Sequence, residues 1–111
     1  MTTNDLSRLA YLAGIFDGEG SVPKIGQRQI TVVANTEEDI LQTVQDELTE
    51  LGIPWKRYTS GIPKFNNAQG FTVKLTTKKA ISSFYELVPF RNVRKRERMK
   101  ELLESYIRDK P

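Results

Sequence analysis

Four stretches of the chain carry apolar residues at spacings of three and four, which predicts four helices. They cover residues 4–17, 36–51, 78–88 and 93–108. Asn4 is the expected N-cap of the first helix, and Asn35 is the expected N-cap of the second, because acidic residues fill the turn that follows it. Gly52 ends the second helix and Pro89 ends the third, since neither residue favours its continuation.

Four other stretches alternate apolar and polar residues, which predicts short β-strands. They cover residues 19–24, 27–34, 53–60 and 71–77. In the second of them, the apolar face is expected to hold Ile30, Val32 and Ala34, and the other face Gln29, Thr31 and Val33. Such alternation is typical of a sheet that packs against a core on one side only.

The order helix, strand, strand, helix, strand, strand, helix, helix predicts one α+β domain over residues 1–111. We expect a four-stranded antiparallel sheet with all helices on one face. The opposite face would be open and polar. Its expected side chains are of the types that contact phosphates and read base edges, and include Gln27, Gln29, Thr31, Arg57 and Lys74.

Composition excludes several kinds of chemistry. The chain contains neither Cys nor His, so zinc fingers, thiol catalysis, Ser-His triads and a His general base are unavailable. Any catalysis must use carboxylates, Lys, Arg, hydroxyls or a metal held by oxygen ligands. No apolar run approaches a membrane span and no secretory signal is visible, so we expect a soluble intracellular protein.

Charge is distributed unevenly along the chain. Residues 1–50 carry three bases and nine acids, whereas residues 51–111 carry fourteen bases and five acids. The densest run, residues 91–100, has six bases and one acid. This polarity favours a polyanion as partner, although a solvated basic helix explains the charge equally well.

Residues 11–20 combine an apolar helix with an acidic end. The side chains along one stripe of this helix are too small to fill a core, and they suit the close approach of a second backbone. The stripe consists of Ala10, Ala13, Gly14 and Asp17. Gly18 and Gly20 stop the helix, which leaves Asp17 and Glu19 at its end. On their own, residues 17–20 favour a polar helix stop; a calcium loop fits poorly, since Val22 and Arg28 occupy its Gly and Glu positions.

Residues 12–20 resemble the LAGLIDADG motif of homing endonucleases. The shared positions are Leu12, Ala13, Gly14, Asp17 and Gly20, with Ile15 in place of Leu and Glu19 in place of the second acid. The order of elements is also similar to the family's αββαββα core followed by a further helix, so the resemblance covers nearly the whole chain. It implies a saddle-shaped sheet and a homodimer whose two motif helices pack together along the stripe.

The resemblance also implies an activity, the cleavage of a long pseudo-palindromic site in double-stranded DNA. Glu19 matches the acid that binds the catalytic metal, and Asp17 and Gly18 complete the implied metal-binding segment. Mg²⁺ is the implied cofactor, with Mn²⁺ or Ca²⁺ able to replace it for binding, and no small-molecule cofactor is expected. Oxygen-ligated Mg²⁺ hydrolyses phosphodiesters without any His, which agrees with the composition.

Further positions follow from the same resemblance. Arg94, with Lys95 next, matches the basic residue that stabilises transition-state charge, and Asn35 or Thr36 matches the polar residue that orients water. The residues expected to contact DNA are Lys24, Gln27, Arg28, Gln29, Thr31, Lys56, Arg57, Lys64, Thr72 and Lys74.

Two alternatives to cleavage stay open. Family members commonly have Lys and Gln where this chain has Arg94 and Asn35, so a protein that binds nucleic acid without cutting it fits as well. It would be an intron RNA maturase or a transcription regulator. The other alternative is a dimerisation module whose basic helix is merely solvated.

Overall fold

The computed structural model describes residues 2–23, 26–60 and 69–108. Its helices and strands are α1 (Thr3–Glu19), β1 (Ile30–Asn35), α2 (Glu38–Glu50), β2 (Lys56–Thr59), β3 (Phe71–Leu75), α3 (Lys78–Leu87) and α4 (Val93–Arg108). The α+β class and the antiparallel sheet are confirmed. Within the described residues the sheet has three strands, in the order β1-β3-β2, rather than the four that the sequence predicts.

The strand predicted for residues 19–24 is reduced to one bridge. Helix α1 continues through Glu19, and Gly20 follows as its C-cap. Ser21 then exchanges two backbone hydrogen bonds with Thr31, of 2.9 and 3.0 Å. Pro23 has no N–H to continue this ladder, so the pairing ends after one residue.

Strand β1 contains a β-bulge that changes the faces of its last residues. Its pairing with β3 shifts register between Thr31 and Val33, which inserts Val32 as the extra residue. Val32 and Val33 are both fully buried, and Ala34 is exposed. The strict alternation predicted for residues 27–34 is therefore wrong from Val33 onward.

The first two helices begin at different residues from those that the sequence predicts. Thr2 is the N-cap of α1, and it forms a capping box with Asp5, so Asn4 lies inside the helix. Glu37 is the N-cap of α2. Asn35 instead ends β1, and its side-chain oxygen accepts a 2.9 Å bond from the Glu37 N–H, which is an Asx turn. The predicted bounds of the last two helices agree closely with α3 and α4.

One hydrophobic core lies between the helices and the sheet, and α1 is fixed in it by its last apolar residue. Helix α1 buries Leu9, Leu12, Ala13 and Phe16. The Phe16 ring meets the rings of Phe84 and Phe90 edge-on, at centroid distances of 5.0 and 4.8 Å. This aromatic cluster joins the end of α1 to α3 and to the segment that precedes α4.

We predict that Gly20→Ala destabilises the protein by about 1–3 kcal/mol, because a site without space must distort to accept a methyl group. A Cβ at Gly20 would clash with Phe16 Cδ1 and would lie 2.7 Å from the Phe16 carbonyl oxygen. Urea unfolding followed by circular dichroism measures the change. Gly18→Ala is the matched control, since its Cβ would meet nothing within 4 Å. Equal stability of the two variants would contradict this packing argument.

Candidate functional site

The end of α1 and the start of α4 each bind backbone groups of the other. The Asp17 carboxylate accepts hydrogen bonds from the backbone N–H groups of Arg91 and Asn92, at 2.9 Å. In return, Lys95 Nζ donates to the carbonyl oxygens of Phe16 and Asp17, at 2.7 and 2.8 Å. An acid at a helix start and a base at a helix end both oppose the local backbone charge. We refer to these contacts as the α1–α4 junction.

Of the two basic candidates next to this junction, Lys95 is committed to it. Burial lowers the pKa of the Lys95 ammonium, and the Asp17 charge opposes that shift. The ammonium also lies 5.5 Å from the centroid of the Phe16 ring. Arg94 is exposed, and its guanidinium makes no hydrogen bond, ion pair or ring contact with the described part of the chain. Arg94 is therefore the cation that a phosphate could reach.

Glu19 and Asn35, which the sequence names as separate candidates, are in contact. Glu19 is the last residue of α1 and is exposed, and its Oε1 accepts a 2.8 Å hydrogen bond from Asn35 Nδ2. The oxygen of the same amide accepts from the Glu37 N–H. Oε2 of Glu19 has no partner among the described residues. One carboxylate oxygen therefore stays available for a cation.

The residues present fit a divalent-metal site that has a single carboxylate ligand from the protomer. Both carboxylate oxygens of Asp17 accept backbone N–H groups, and Gly18 has no side chain, so Glu19 is the acid of this segment with an uncommitted oxygen. The described residues contain no group of three acidic side chains that could enclose a metal ion. Mg²⁺ is commonly held by one or two carboxylates together with substrate phosphates, and Glu19 fits that mode.

The exposed stripe of α1 differs from the one that the sequence predicts. Ala13 is only 7% exposed and packs with the core, which corrects its assignment to the stripe. Asp17 is held in the α1–α4 junction. The stripe that faces solvent recurs every four residues and consists of Leu6, Ala10, Gly14 and Gly18. Leu6 is 57% exposed, so this stripe carries an exposed apolar side chain in addition to its small residues.

The face of the sheet away from the core carries two cross-strand rows. Each row consists of residues that lie opposite one another on β2, β3 and β1. The first row is Lys56, Lys74 and Thr31, and the second row is Tyr58, Thr72 and Ala34. The Lys74 ammonium lies 5.5 Å from the centroid of the Tyr58 ring. Thr31, Lys56, Thr72 and Lys74 therefore share the open face that the sequence predicts. Lys24 and Lys64 lie outside the described residues.

Arg57 lies on the other face, which corrects its predicted placement. It is opposite Val73, on the core side, and donates to Glu38 Oε1 at 2.8 Å and to Gln45 Oε1 at 3.0 Å. Its guanidinium lies 4.1 Å from the centroid of the Phe71 ring. The bond from Arg57 lowers the pKa of Glu38, and the bond to Glu38 raises that of Arg57. Arg57 thus joins β2 to α2.

The other candidates before β1 contact the chain itself. Arg28 Nη2 donates to the Ser105 carbonyl at 3.2 Å, and its guanidinium lies 4.7 Å from the centroid of the Tyr106 ring. Gln29 Nε2 lies 3.4 Å from Gln27 Oε1, so these two amides are neighbours. Arg28 therefore connects the segment before β1 to the end of α4.

Tyr58 is not among the DNA-contact residues that the sequence predicts, yet it lies on the open face and is 42% exposed. The alternation of residues 56–59 is the signal that would have found it.

The basic run of residues 91–100 is less available to a partner than its charge suggests. Arg96 donates to the Phe90 carbonyl at 3.1 Å, and Arg98 Nη1 lies 3.4 Å from the Val22 carbonyl oxygen. The exposed bases of the run are Arg91, Arg94 and Lys100.

We predict that Lys95→Met destabilises the fold by about 1–3 kcal/mol, since it removes two hydrogen bonds made by a charged donor to helix-end carbonyls. Arg94→Met is the matched control and should change stability by less than about 0.5 kcal/mol, as exposed substitutions do. Urea unfolding compares the two. A loss in the Arg94 variant as large as that in the Lys95 variant would argue against the α1–α4 junction.

Comparison with known proteins places the chain in a family. The model of the LAGLIDADG-like domain family matches residues 7–89. A crystal structure of the homing endonuclease I-CvuI with its target, in the presence of 2 mM Ca, aligns with a TM-score of 0.65 and 21% identity over 93% of this chain and 68% of that chain. A second structure of I-CvuI, with the I-CreI target in 2 mM Mg and its DNA not cleaved, gives 0.59 and 19% over the same shares. No curated protein matches. None of the described helices has the length and apolar character of a membrane span.

The family model shows that the chain belongs to the LAGLIDADG family, and the structural alignments show that it has the fold of homing endonucleases.

Proposed function

We propose that the protein is a divalent-metal-dependent, site-specific DNA endonuclease that acts as a homodimer. The observation that carries the proposal is the exposed Glu19 carboxylate, which ends the motif helix with one uncommitted oxygen. The family and the solved complexes of I-CvuI agree with this activity.

The chemistry follows from the side chains around Glu19. Mg²⁺ bound there would supply an activated water and neutralise charge on the phosphate. Glu19 would provide one ligand oxygen, and DNA phosphates and waters would supply the others. Arg94 is exposed at the start of α4, where its guanidinium can bind phosphate oxygens and stabilise the charge that develops during hydrolysis. Lys95 acts through the α1–α4 junction, by holding the end of the helix that carries Glu19.

The open face of the sheet is suited to a polyanion. Lys56 and Lys74 are directly opposite in an antiparallel pair, an arrangement in which like charges repel. A DNA phosphate near both ammonium groups would remove that repulsion and release counterions. Thr31 and Thr72 lie beside them and offer hydroxyls to base edges or phosphates.

The stripe on α1 supports a homodimer. Leu6, Ala10, Gly14 and Gly18 would let two α1 helices approach closely around a two-fold axis. Each protomer has one Glu19, and a duplex has two antiparallel strands to cut. A symmetric pair of protomers supplies one carboxylate to each strand.

We predict that Glu19→Gln keeps DNA binding and abolishes cleavage, because it removes the carboxylate charge while retaining the shape. A duplex selected by binding from a randomised library in Ca²⁺ serves as substrate, and nicking is followed by gel electrophoresis after addition of Mg²⁺. Glu97→Gln, an equal charge change at an exposed position of α4, is the control and should cut normally. Cutting by the Glu19 variant would refute the assignment.

We predict that Gly14→Leu prevents dimerisation without unfolding the protomer. A Cβ at Gly14 meets nothing within 4 Å, and replacing a helical Gly raises helix propensity by up to about 1 kcal/mol. Two leucines at the two-fold axis would force the helices apart. Sedimentation equilibrium should show a monomer at concentrations where the wild type and Lys100→Leu are dimers. A dimeric Gly14→Leu would contradict the stripe as the interface.

A protein that binds nucleic acid without cutting is the second candidate function. The observation that favours it is the combination of a single uncommitted acid with a neighbouring Lys95 bound to backbone carbonyls. Binding of the selected duplex without nicking, in Mg²⁺ and in Mn²⁺ across a range of pH, would support this function over cleavage.

A further inference from the structure

We propose that Asn35 is a positioning residue that holds the Glu19 carboxylate and, because it is neutral, makes cation binding there depend on DNA phosphates. This inference rests on the proposed function. Its basis is the 2.8 Å bond from Asn35 Nδ2 to Glu19 Oε1, which joins the end of β1 to the end of α1.

The orientation of the Asn35 amide is fixed from both sides. The backbone N–H of Glu37 can only donate, so the amide oxygen must face it, and their distance is 2.9 Å. The amide nitrogen is then directed to Glu19, whose carboxylate can only accept. Asn35 is itself anchored in the sheet, where it pairs with Phe71. The contact therefore comes from a rigid element.

This contact constrains a side chain that would otherwise move freely. Glu19 is exposed, and a free glutamate samples many rotamers. The bond at Oε1 leaves Oε2 as the oxygen available to a cation. Partners of this kind, which orient a ligand without touching the metal, typically change metal affinity by about 10–100-fold when removed.

The neutrality of Asn35 has a second effect. An aspartate at this position could accept the Glu37 N–H equally well and would set a second carboxylate against Glu19. Two adjacent carboxylates would attract a divalent cation in the absence of DNA. With asparagine, the free protein offers one carboxylate, so a phosphate must complete the shell.

The test measures Mn²⁺ binding to the free protein by line broadening of the backbone amides of residues 18–20. We expect Asn35→Asp to reach half-broadening at about tenfold lower Mn²⁺ than wild type, and Asn35→Ala to require about tenfold more. Gln42→Glu is the matched control. Gln42 Nε2 also donates to a carboxylate, Asp46 Oδ1, at 2.9 Å, so the same exchange on α2 should leave residues 18–20 unchanged.

The Asp variant tests the neutrality of Asn35. It keeps the acceptor for the Glu37 N–H and sets a second carboxylate beside Glu19, so wild-type broadening in Asn35→Asp overturns the inference. Absence of broadening at residues 18–20 in Asn35→Asp also overturns it, because two adjacent carboxylates should bind the cation without DNA. A second measurement tests the contact directly: the Asn35 side-chain NH₂ resonance should move in Glu19→Gln and not in Glu97→Gln, and an unmoved resonance overturns the inference.

Failure of the proposed function is recognised separately. One outcome is that the wild type never nicks the selected duplex, while the Asn35 variants rank as expected in the Mn²⁺ concentration at half-broadening and the NH₂ resonance shifts as expected. In that case the nuclease proposal fails and the positioning role stands.

Discussion

The α1–α4 junction is the interaction on which the site depends. A helix end leaves carbonyl groups without partners, and a helix start leaves N–H groups without partners. Here the two ends meet, and Lys95 and Asp17 each supply the charge that the other helix needs. The Phe16 and Phe90 rings pack beside these contacts. Glu19 and Arg94 follow directly from the two anchored ends, so the junction decides where the carboxylate and the cation stand.

The junction also changes how the charge of the chain should be interpreted. The basic run of residues 91–100 invites the view of a cationic helix surface, but Lys95, Arg96 and Arg98 donate to backbone carbonyls of the protein itself. These cations stabilise the ends of elements and the loops next to α4. The charge available to a partner is smaller and lies in two places, at the lysines of the open sheet face and at Arg91 and Arg94 near the end of α1. Counting charges along the sequence therefore overstates the charge available to a partner and hides the structural role of Lys95, Arg96 and Arg98.

Local patterns were sufficient for much of the fold. The motif, the α+β class and the bounds of α3 and α4 follow from helical spacing, breakers and the order of elements, which are properties of neighbouring residues. The open-face positions of Thr72 and Lys74 follow from the clean alternation of β3. Errors arose where a distant partner decides the outcome.

Particular residues show why. The bulge at Val32 depends on the register with β3. Arg57 faces the core side because its guanidinium donates hydrogen bonds to Glu38 and Gln45 there and packs on the ring of Phe71. Neither the register shift nor the contacts of Arg57 can be recognised from the order of polar and apolar residues nearby. Asp17 and Glu19 look alike in sequence, and only the position of residues 91 and 92 distinguishes them. The structure therefore commits one acid to the α1–α4 junction and leaves the other with an uncommitted oxygen. Under the proposed function, every further carboxylate would repel the phosphates that approach. A single uncommitted acid held by a neutral amide would then reconcile attraction of DNA with binding of a cation.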